Sequence, residues 1–311
     1  MATASPLQII PAHNLPHPEG HGSAYQVADT STAALSIPRG DAVATLNFFK
    51  DPEDGSAPFN YVQTPPEGQP QRNYGDFYTE VMIHDIRGHE SDYNLDKDAF
   101  SVVSGVAPSA ERDFISDESI EKYFYPEVEK LILENVPGSS RVVIFDHTIR
   151  RTGPDAPRSP VMRVHIDQTA AAAKERVRLH LGDESEELLK GRYRIINVWR
   201  PLNGPVLSFP LGFASSLTVE DSDVVPVQHR YTNRTGQTAG IRYNPGQRWH
   251  YLSEMRNDER LLLECFDSEA LKEGSAVQGG RVPHTAFIHS RTPEGAVGRE
   301  SIEVRALVFG S

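Results

Sequence analysis

The sequence predicts a mainly β protein of the α+β class, built as an antiparallel sandwich or jelly roll with flanking helices. From residue 192 onward, short segments rich in β-branched and aromatic residues recur, and clusters of Gly, Pro, Asn and Asp separate them. Helical periodicity is sustained in only a few stretches. Because so few helices cannot supply the crossovers of a parallel sheet, we expect antiparallel strands.

Composition excludes several classes of partner. The chain has 311 residues, enough to bury a large core, and a formal net charge of −12. This acidic balance leaves no basic surplus for nucleic acid or an anionic membrane surface, so neither partner is expected. The single cysteine, Cys265, excludes an internal disulfide, and no leader-like or membrane-spanning segment is present. We therefore expect a cytoplasmic protein, and a homodimer is compatible with the sequence.

The chain divides unequally. Residues 1–40 are rich in Pro, His, Ser and Ala and lack sustained periodicity, so we expect them to form a loose arm. No later break in composition is clean enough to separate two domains. We therefore expect residues 41–311 to form one domain, which begins with short strands and irregular cover up to about residue 108.

Helical patterns occur in three places. Residues 116–136 predict a helix that is interrupted near Pro126 and buries Val128, Leu131 and Ile132. Residues 170–181 predict a second helix, because apolar residues recur there at every fourth position until Gly182. A short third helix is expected at 184–190, with Asp183 as its cap.

Strands are expected over the remaining apolar pieces. The main ones are residues 141–145, 161–166, 193–199, a piece around Val206 and Leu207, and residues 249–252, 260–266, 285–288 and 301–309.

The most informative motif is His165-Ile166-Asp167, which ends an apolar run and precedes a helix. Residues at i and i+2 of a strand point to one face, about 7 Å apart, so both side chains can reach one cation. An imidazole and a carboxylate in this arrangement are two ligands of the 2-His-1-carboxylate facial triad that holds iron(II) in oxygenases. The alternative interpretation makes His165 a hydrogen-bonded core residue and Asp167 a helix cap.

A third ligand and an anion-binding strand follow later in the chain. His284 stands at the start of a predicted strand, and Arg299 and Ser301 open the last strand. In oxygenases with this metal site, an arginine on that strand pairs with the far carboxylate of 2-oxoglutarate. Strand alternation also places Glu303 and Arg305 on the same face as Arg299, while Ile302, Val304, Ala306 and Val308 face apolar packing.

Other arrangements of polar residues in the sequence are less suited to hold a metal or a cofactor. Asp146 and His147 are adjacent on a predicted strand and therefore point to opposite faces, so they cannot easily share a metal. The sequence lacks the nucleophile elbow of hydrolases and the glycine-rich loops of nucleotide-binding proteins. Two alternatives stay open: a cupin-like metal-dependent isomerase or hydrolase, and a binding protein without catalysis on the same fold.

Seven pieces of the chain match one known family in the same order. They are residues 145–150, 164–169, 196–202, 249–253, 266–268, 283–287 and 299–305. In them the chain resembles the fungal hydroxylase/desaturase group of the AsaB type, which includes gibberellin desaturase-like proteins, over roughly residues 75–309.

The resemblance implies a double-stranded β-helix, iron(II) and 2-oxoglutarate as cofactors, and the oxidation of a small natural product by dioxygen. That oxidation would be a hydroxylation, a desaturation or a ring rearrangement in secondary metabolism.

The same resemblance assigns roles to residues of this chain. It makes His165, Asp167 and His284 the metal ligands. It makes Arg299 and Ser301 the clamp for the cosubstrate carboxylate. Arg305 is a second candidate for the clamp, because the interval from His284 to Arg299 is longer than in better-known oxygenases. The adjacent Trp199 and Arg200 are candidates for contacting substrate or cosubstrate.

Overall fold

The strands form two facing sheets in the computed structural model, which describes residues 37–153 and 156–311. The strands are β1 (Ala42–Lys50), β2 (Phe59–Tyr61), β3 (Gly75–Asp85), β4 (Phe100–Val103), β5 (Ser139–Arg150), β6 (His165–Ile166), β7 (Arg192–Pro201), β8 (Leu211–Ala214), β9 (Val224–Arg230), β10 (Thr235–Ile241), β11 (Trp249–Tyr251), β12 (Arg260–Asp267), β13 (His284–Ala286) and β14 (Ser301–Gly310). The α-helices are α1 (Leu95–Asp98), α2 (Asp117–Ser119), α3 (Tyr125–Asn135), α4 (Ala170–Leu181) and α5 (Ser185–Leu188), and one π-helical turn, Ile120–Phe124, joins α2 to α3.

The larger sheet has the strand order β1-β3-β11-β8-β13-β6-β10-β9-β2, and the smaller sheet has the order β4-β12-β7-β14-β5. Neighbouring strands are antiparallel, except that β11 runs parallel to β3 and β2 runs parallel to β9. The predicted mainly β, jelly-roll architecture is therefore confirmed. It places β6 and β13, which carry the two predicted histidine ligands, next to each other in the middle of the larger sheet.

The smaller sheet separates an apolar outer face from a polar inner face. Ile302, Val304, Ala306 and Val308 of β14 pack in one cluster with Val128 and Ile132 of α3. Their neighbours Glu303 and Arg305 point the other way, toward the larger sheet, as strand alternation predicts. The helix α3 thus covers one face of β14 and leaves the other face for polar groups.

Both long helices lie where the sequence predicts them. Residues 116–136 form α2, the π-helical turn and α3, with Pro126 in the first turn of α3 and Val128, Leu131 and Ile132 buried. The second helix, α4, begins after Thr169, whose side chain accepts a hydrogen bond from the backbone N–H of Ala172, and it ends at Gly182. Thr169 therefore caps α4, so Asp167 is available for another role.

Several predicted boundaries are wrong. The strand expected around Val206 and Leu207 is irregular backbone, and β8 begins at Leu211 instead. Pro205 and Pro210 bracket the irregular piece and remove backbone donors that a strand would use. The third helix is shorter than expected, and Asp183 lies in a 3₁₀ turn before α5 and makes no side-chain cap. Strands β6 and β13 are also shorter than predicted.

Residues 1–36 of the predicted arm over residues 1–40 lie outside the described residues. The described end of that segment is tied to the larger sheet, because the backbone N–H of Gly40 donates to Asp85 Oδ2 at 2.7 Å. Across residues 37–153 and 156–311, the helices are too short or too polar to cross a membrane.

We predict that Gly240→Ala destabilises the fold beside β6. Gly240 pairs with His165, and a Cβ at Gly240 would lie 2.7 Å from a ring carbon of the buried Phe49. Overpacking of this kind typically lowers the free energy of unfolding by about 1–3 kcal/mol. Urea denaturation of both proteins measures the difference.

The matched control is Gly236→Ala in the same strand, where the nearest side-chain atom would be 3.5 Å away, an ordinary contact. Equal free energies of unfolding for Gly240→Ala and the parent chain would contradict this packing argument.

Candidate metal centre

Strand pairing brings together two histidines that are far apart in the sequence. His165 on β6 is the direct antiparallel partner of His284 on β13. Directly opposite residues of such a pair have Cβ atoms about 4.5–5.5 Å apart and side chains on the same face. The two imidazole rings accordingly lie with their centres 4.5 Å apart.

Asp167 completes the cluster from the segment that leads from β6 into α4. Its Oδ1 atom lies 3.3 Å from His165 Nε2 and 4.0 Å from His284 Nε2. Ligand atoms of the three residues all lie within 4.8 Å of one another, and in the described ranges no other group of His, Cys, Asp and Glu side chains converges in this way. The structure therefore brings together all three predicted ligands.

Backbone carbonyls hold both imidazoles in one tautomer. His165 Nδ1 lies 2.8 Å from the carbonyl oxygen of Arg163, and His284 Nδ1 lies 3.1 Å from that of Val282. Because a carbonyl can only accept, each Nδ1 carries a proton, so Nε2, which lies on the side of Asp167, is the ring nitrogen available to a metal. Burial lowers the pKa of His284 to about 4, which favours the neutral ring that a metal requires.

The smaller sheet fixes the carboxylate of Asp167. Asn197 Nδ2 of β7 donates to Asp167 Oδ2 at 2.9 Å, and Arg305 Nη1 of β14 donates to the same oxygen at 3.3 Å. Burial alone would raise the pKa of Asp167. The hydrogen bond with His165 and the charge of Arg305 outweigh burial and hold this pKa well below its usual value. Oδ1 is thereby left on the side of the imidazoles.

Arg305 is already occupied by carboxylates. Besides Asp167, its guanidinium donates to Asp146, to Glu303 and to the hydroxyl of Thr148. Burial would lower the pKa of Arg305, but these neighbouring carboxylates raise it. Arg305 is therefore in contact with one of the predicted ligands, Asp167, and its guanidinium is already bonded to carboxylates.

Arg299 lines what we call the inner cavity, together with the three predicted ligands, Trp199, Glu303 and Arg150. It is 2% exposed, and its Nη1 donates to the carbonyl of Phe209 at 2.6 Å. Its Nε has no hydrogen-bond partner among the described residues. Burial, and then the like charge of Arg150, lower the pKa of Arg299 to about 9. This is a buried cation without a carboxylate bonded to it in the described part of the chain.

Two inner-cavity residues, Arg150 and Glu303, have no role among the sequence-based predictions. Arg150 on β5 pairs directly with Ser301 on β14 and donates to the carbonyl of Ser159 at 3.1 Å. Glu303 points into the cavity, and burial raises its pKa to about 7. Alternation along β14 signals Glu303, but the pairing that brings Arg150 opposite Ser301 has no signal in a single sequence.

The remaining predicted site residues lie in different surroundings, and only some of them are near the metal ligands. Ser301 is buried at the start of β14, two positions from Arg299. Trp199 lines the inner cavity, where the guanidinium carbon of Arg299 lies 5.2 Å from its ring centre. Arg200 points to the other face of β7 and lies 5.1 Å from the ring centre of Phe114, outside the inner cavity. The structure therefore brings Trp199, but not Arg200, to the metal ligands.

A second space, the outer cavity, opens on the other side of Asp167. It has a volume of about 330 Å³ and lies between α4 and the β9–β10 hairpin. Its lining includes Asp146, Asp167, Arg176, His229, Arg234 and Arg305. Asp167 and Arg305 thus stand at the boundary of a small polar pocket and a larger, mixed one.

Comparison with known proteins agrees with this geometry. A family described as an oxidoreductase/YMDC permease-like domain matches residues 46–309. The hydroxylase/desaturase poxK of Penicillium oxalicum is 38% identical, with 99% of this chain and 98% of that protein covered. The Fe(II)/2-oxoglutarate-dependent dioxygenase nvfI of Aspergillus novofumigatus is 33% identical, with 84% of this chain and 95% of that protein covered.

A solved structure shows the same fold. The iron and alpha-ketoglutarate-dependent endoperoxidase NvfI superimposes with a TM-score of 0.79 at 30% sequence identity, and the match covers 88% of this chain and 100% of that chain. This structural similarity also confirms the jelly-roll prediction.

We predict that Asp167→Ala loses iron(II) affinity by at least about 100-fold, since the variant removes the anionic ligand and leaves two neutral imidazoles. Anaerobic titration with iron(II), followed by metal analysis after desalting, measures the loss. Asp183→Ala, which removes an exposed carboxylate near α5, is the matched control and should retain iron like the parent chain. Retention of one iron per chain by Asp167→Ala would refute the assignment.

Proposed function

We propose that this chain, which belongs to the fungal hydroxylase/desaturase family of iron(II)/2-oxoglutarate-dependent dioxygenases, oxidises a small natural product at an iron held by His165, Asp167 and His284. The observation that carries the proposal is the convergence of these three side chains within 4.8 Å. Two imidazole nitrogens and one carboxylate oxygen are the donor set of the facial triad, which leaves three coordination positions open.

Bound iron(II), with 2-oxoglutarate and dioxygen, supplies the oxidising power to break a C–H bond, which no side chain can supply. The protein's part is to fix the donor atoms. The carbonyls of Arg163 and Val282 orient the imidazoles, while Asn197 and Arg305 orient the carboxylate. Because hydrogen bonds to neighbouring groups orient all three ligands, their geometry is kept when other molecules occupy the open coordination positions.

Charge and position support the inner cavity as the cosubstrate site. Arg299 would pair with the far carboxylate of 2-oxoglutarate, with Ser301 and Arg150 beside it. Around the site, Arg150, Arg299 and Arg305 balance Asp146, Asp167 and Glu303 when all six are ionised. The two positive charges of iron(II) are then matched by the two negative charges of 2-oxoglutarate.

Side chains must move when the cosubstrate enters. The free volume between the lining residues is about 20 Å³, close to the space of one water molecule. Trp199 is the largest side chain in the lining and lies against Arg299, so its displacement is the simplest way to enlarge the cavity.

The outer cavity is the proposed substrate site, because it is large enough for a small natural product and ends at Asp167. Hydroxylation, desaturation and rearrangement differ by small changes in how the reacting carbon is placed. We also propose that residues 41–311 act as one oxygenase domain, since both sheets contribute to the site. The homodimer and the cytoplasmic location stay predictions.

The two alternatives raised by the sequence are less well supported. A cupin-like isomerase or hydrolase would not need a buried arginine such as Arg299 beside the metal ligands, because it binds no 2-oxoglutarate. A binding protein without catalysis would not need two imidazoles oriented for a metal. The similar proteins are described as dioxygenases and hydroxylase/desaturases.

Anaerobic absorption spectroscopy tests the proposed function directly. We expect a weak visible charge-transfer band that forms only when iron(II) and 2-oxoglutarate are both present. Admission of dioxygen with a panel of small natural products should then release succinate. A protein that binds iron(II) but shows no band at saturating 2-oxoglutarate would contradict the proposal.

Two arginine variants separate the clamp from the metal support. We predict that Arg299→Met weakens 2-oxoglutarate binding by about 10- to 100-fold, the usual effect of losing a hydrogen-bonded charge pair, while iron(II) binding persists. Arg305→Met should instead weaken iron(II) binding, because Asp167 loses a charged donor.

Titration of the charge-transfer band measures both constants, and Arg141→Met, at the exposed end of β5, serves as the control. The reverse ranking of the two variants would identify Arg305 as the clamp.

A further inference from the structure

The outer cavity contains two arginines that the oxidation chemistry does not use. Arg176 reaches it from α4, and its guanidinium carbon lies 5.0 Å from the ring centre of Phe145. Arg234 reaches it from the turn between β9 and β10, and its guanidinium carbon lies 3.9 Å from the ring centre of Tyr231. Both cations are held against aromatic rings, which fixes their position without neutralising their charge.

Neither arginine forms an ion pair within residues 37–153 and 156–311. The acidic side chains of the same cavity have other partners: Asp146 is bonded to Arg305, and Glu175 to Arg178 on the outer side of α4. Asp167 belongs to the metal centre. The cavity therefore has two arginines that no carboxylate in the described chain pairs with directly, although the protein carries a net charge of −12.

The surroundings of Arg176 indicate that the two arginines of the outer cavity can bind an anion. Burial lowers the pKa of Arg176, the carboxylate of Asp146 opposes this effect, and the like charges of Arg305 and Arg234 add to it. Arg176 is half-buried and Arg234 is exposed, so a bound anion would be shielded from water mainly at Arg176. Guanidinium groups are suited to binding an anion, because their donors match the two oxygens of a carboxylate.

The rest of the lining limits what that anion can be. Ala171, Ala172 and Leu179 of α4 offer an apolar wall, and Gln228 and Gln237 of the hairpin offer amide groups. An inorganic ion would leave the apolar wall and most of the 330 Å³ unused. A molecule with an apolar body and one anionic group uses both parts of the cavity.

We propose that the outer cavity selects substrates bearing a carboxylate, which Arg176 and Arg234 bind while the apolar body extends along α4 toward Asp167. This inference rests on the proposed function, because it treats the outer cavity as the substrate site of the same oxygenase. It adds the chemical class of the substrate, which the fold and the metal ligands leave open.

A matched pair of fluorescent probes tests the inference without knowledge of the native substrate. Anthracene-9-carboxylate and its methyl ester share one apolar body and differ in the charged group. Binding is measured by fluorescence anisotropy to the full-length, iron(II)-loaded enzyme under anaerobic conditions. We expect the carboxylate to bind at least about tenfold more tightly than the ester, because the ester lacks the charge-assisted hydrogen bonds to the arginines.

Variants on one helix assign the effect. Arg176→Met keeps the length and apolar body of the side chain, and we expect it to abolish the preference for the carboxylate while ester binding changes little. Lys174→Met is the matched control, because Lys174 is an exposed cation on the same helix and does not line the outer cavity. It should preserve the preference.

Saturating 2-oxoglutarate distinguishes the two organic anions that the enzyme could hold there. We expect it to leave the affinity for anthracene-9-carboxylate unchanged, because the cosubstrate occupies the inner cavity. Competitive displacement of the probe would instead identify the outer arginines as a cosubstrate site and overturn the inference.

Equal affinity for the two probes, failure of both to bind, or a carboxylate preference that survives Arg176→Met would also overturn it. Failure of the proposed function is recognised separately, by the absence of the charge-transfer band in the same iron-loaded sample.

Discussion

The antiparallel pairing of His165 with His284 is the constraint on which the rest of the site depends. Strand β6 is only two residues long, yet it lies between β13 and β10 in the middle of the larger sheet. This position fixes both imidazoles on one face and delivers Asp167 immediately afterwards. The smaller sheet then supplies Asn197 and Arg305 from neighbouring positions on β7 and β14. The metal centre is thus a product of strand register in both sheets.

The arginines around the site fall into groups according to what compensates their charge. Arg305 is surrounded by carboxylates and supports Asp167. Arg299 and Arg150 face an inner cavity whose acidic partner, Glu303, is bonded to Arg305. Arg176 and Arg234 face the outer cavity without an ion-pair partner in the described chain. This division fits one proposed metal support, one proposed cosubstrate site and one proposed substrate site, because an arginine without an ion-pair partner is well suited to bind a carboxylate.

Local patterns in the sequence carried the predictions that are confirmed. The period of residues 170–181 predicted α4, and strand alternation predicted the two faces of β14. Features that depend on long-range register could not be predicted: nothing near Arg150 indicates that it pairs with Ser301, and nothing near Asn197 indicates that it reaches Asp167. Strands β9 and β10 were missed because proline and glycine interrupt their patterns.

The most direct measurement is anaerobic crystallography of the iron(II)-loaded enzyme with anomalous scattering recorded at the iron absorption edge. We expect one strong anomalous peak within bonding distance of Nε2 of His165, Nε2 of His284 and Oδ1 of Asp167. An iron peak elsewhere, or an iron bound without one of these three atoms, would show that these residues do not form the metal centre.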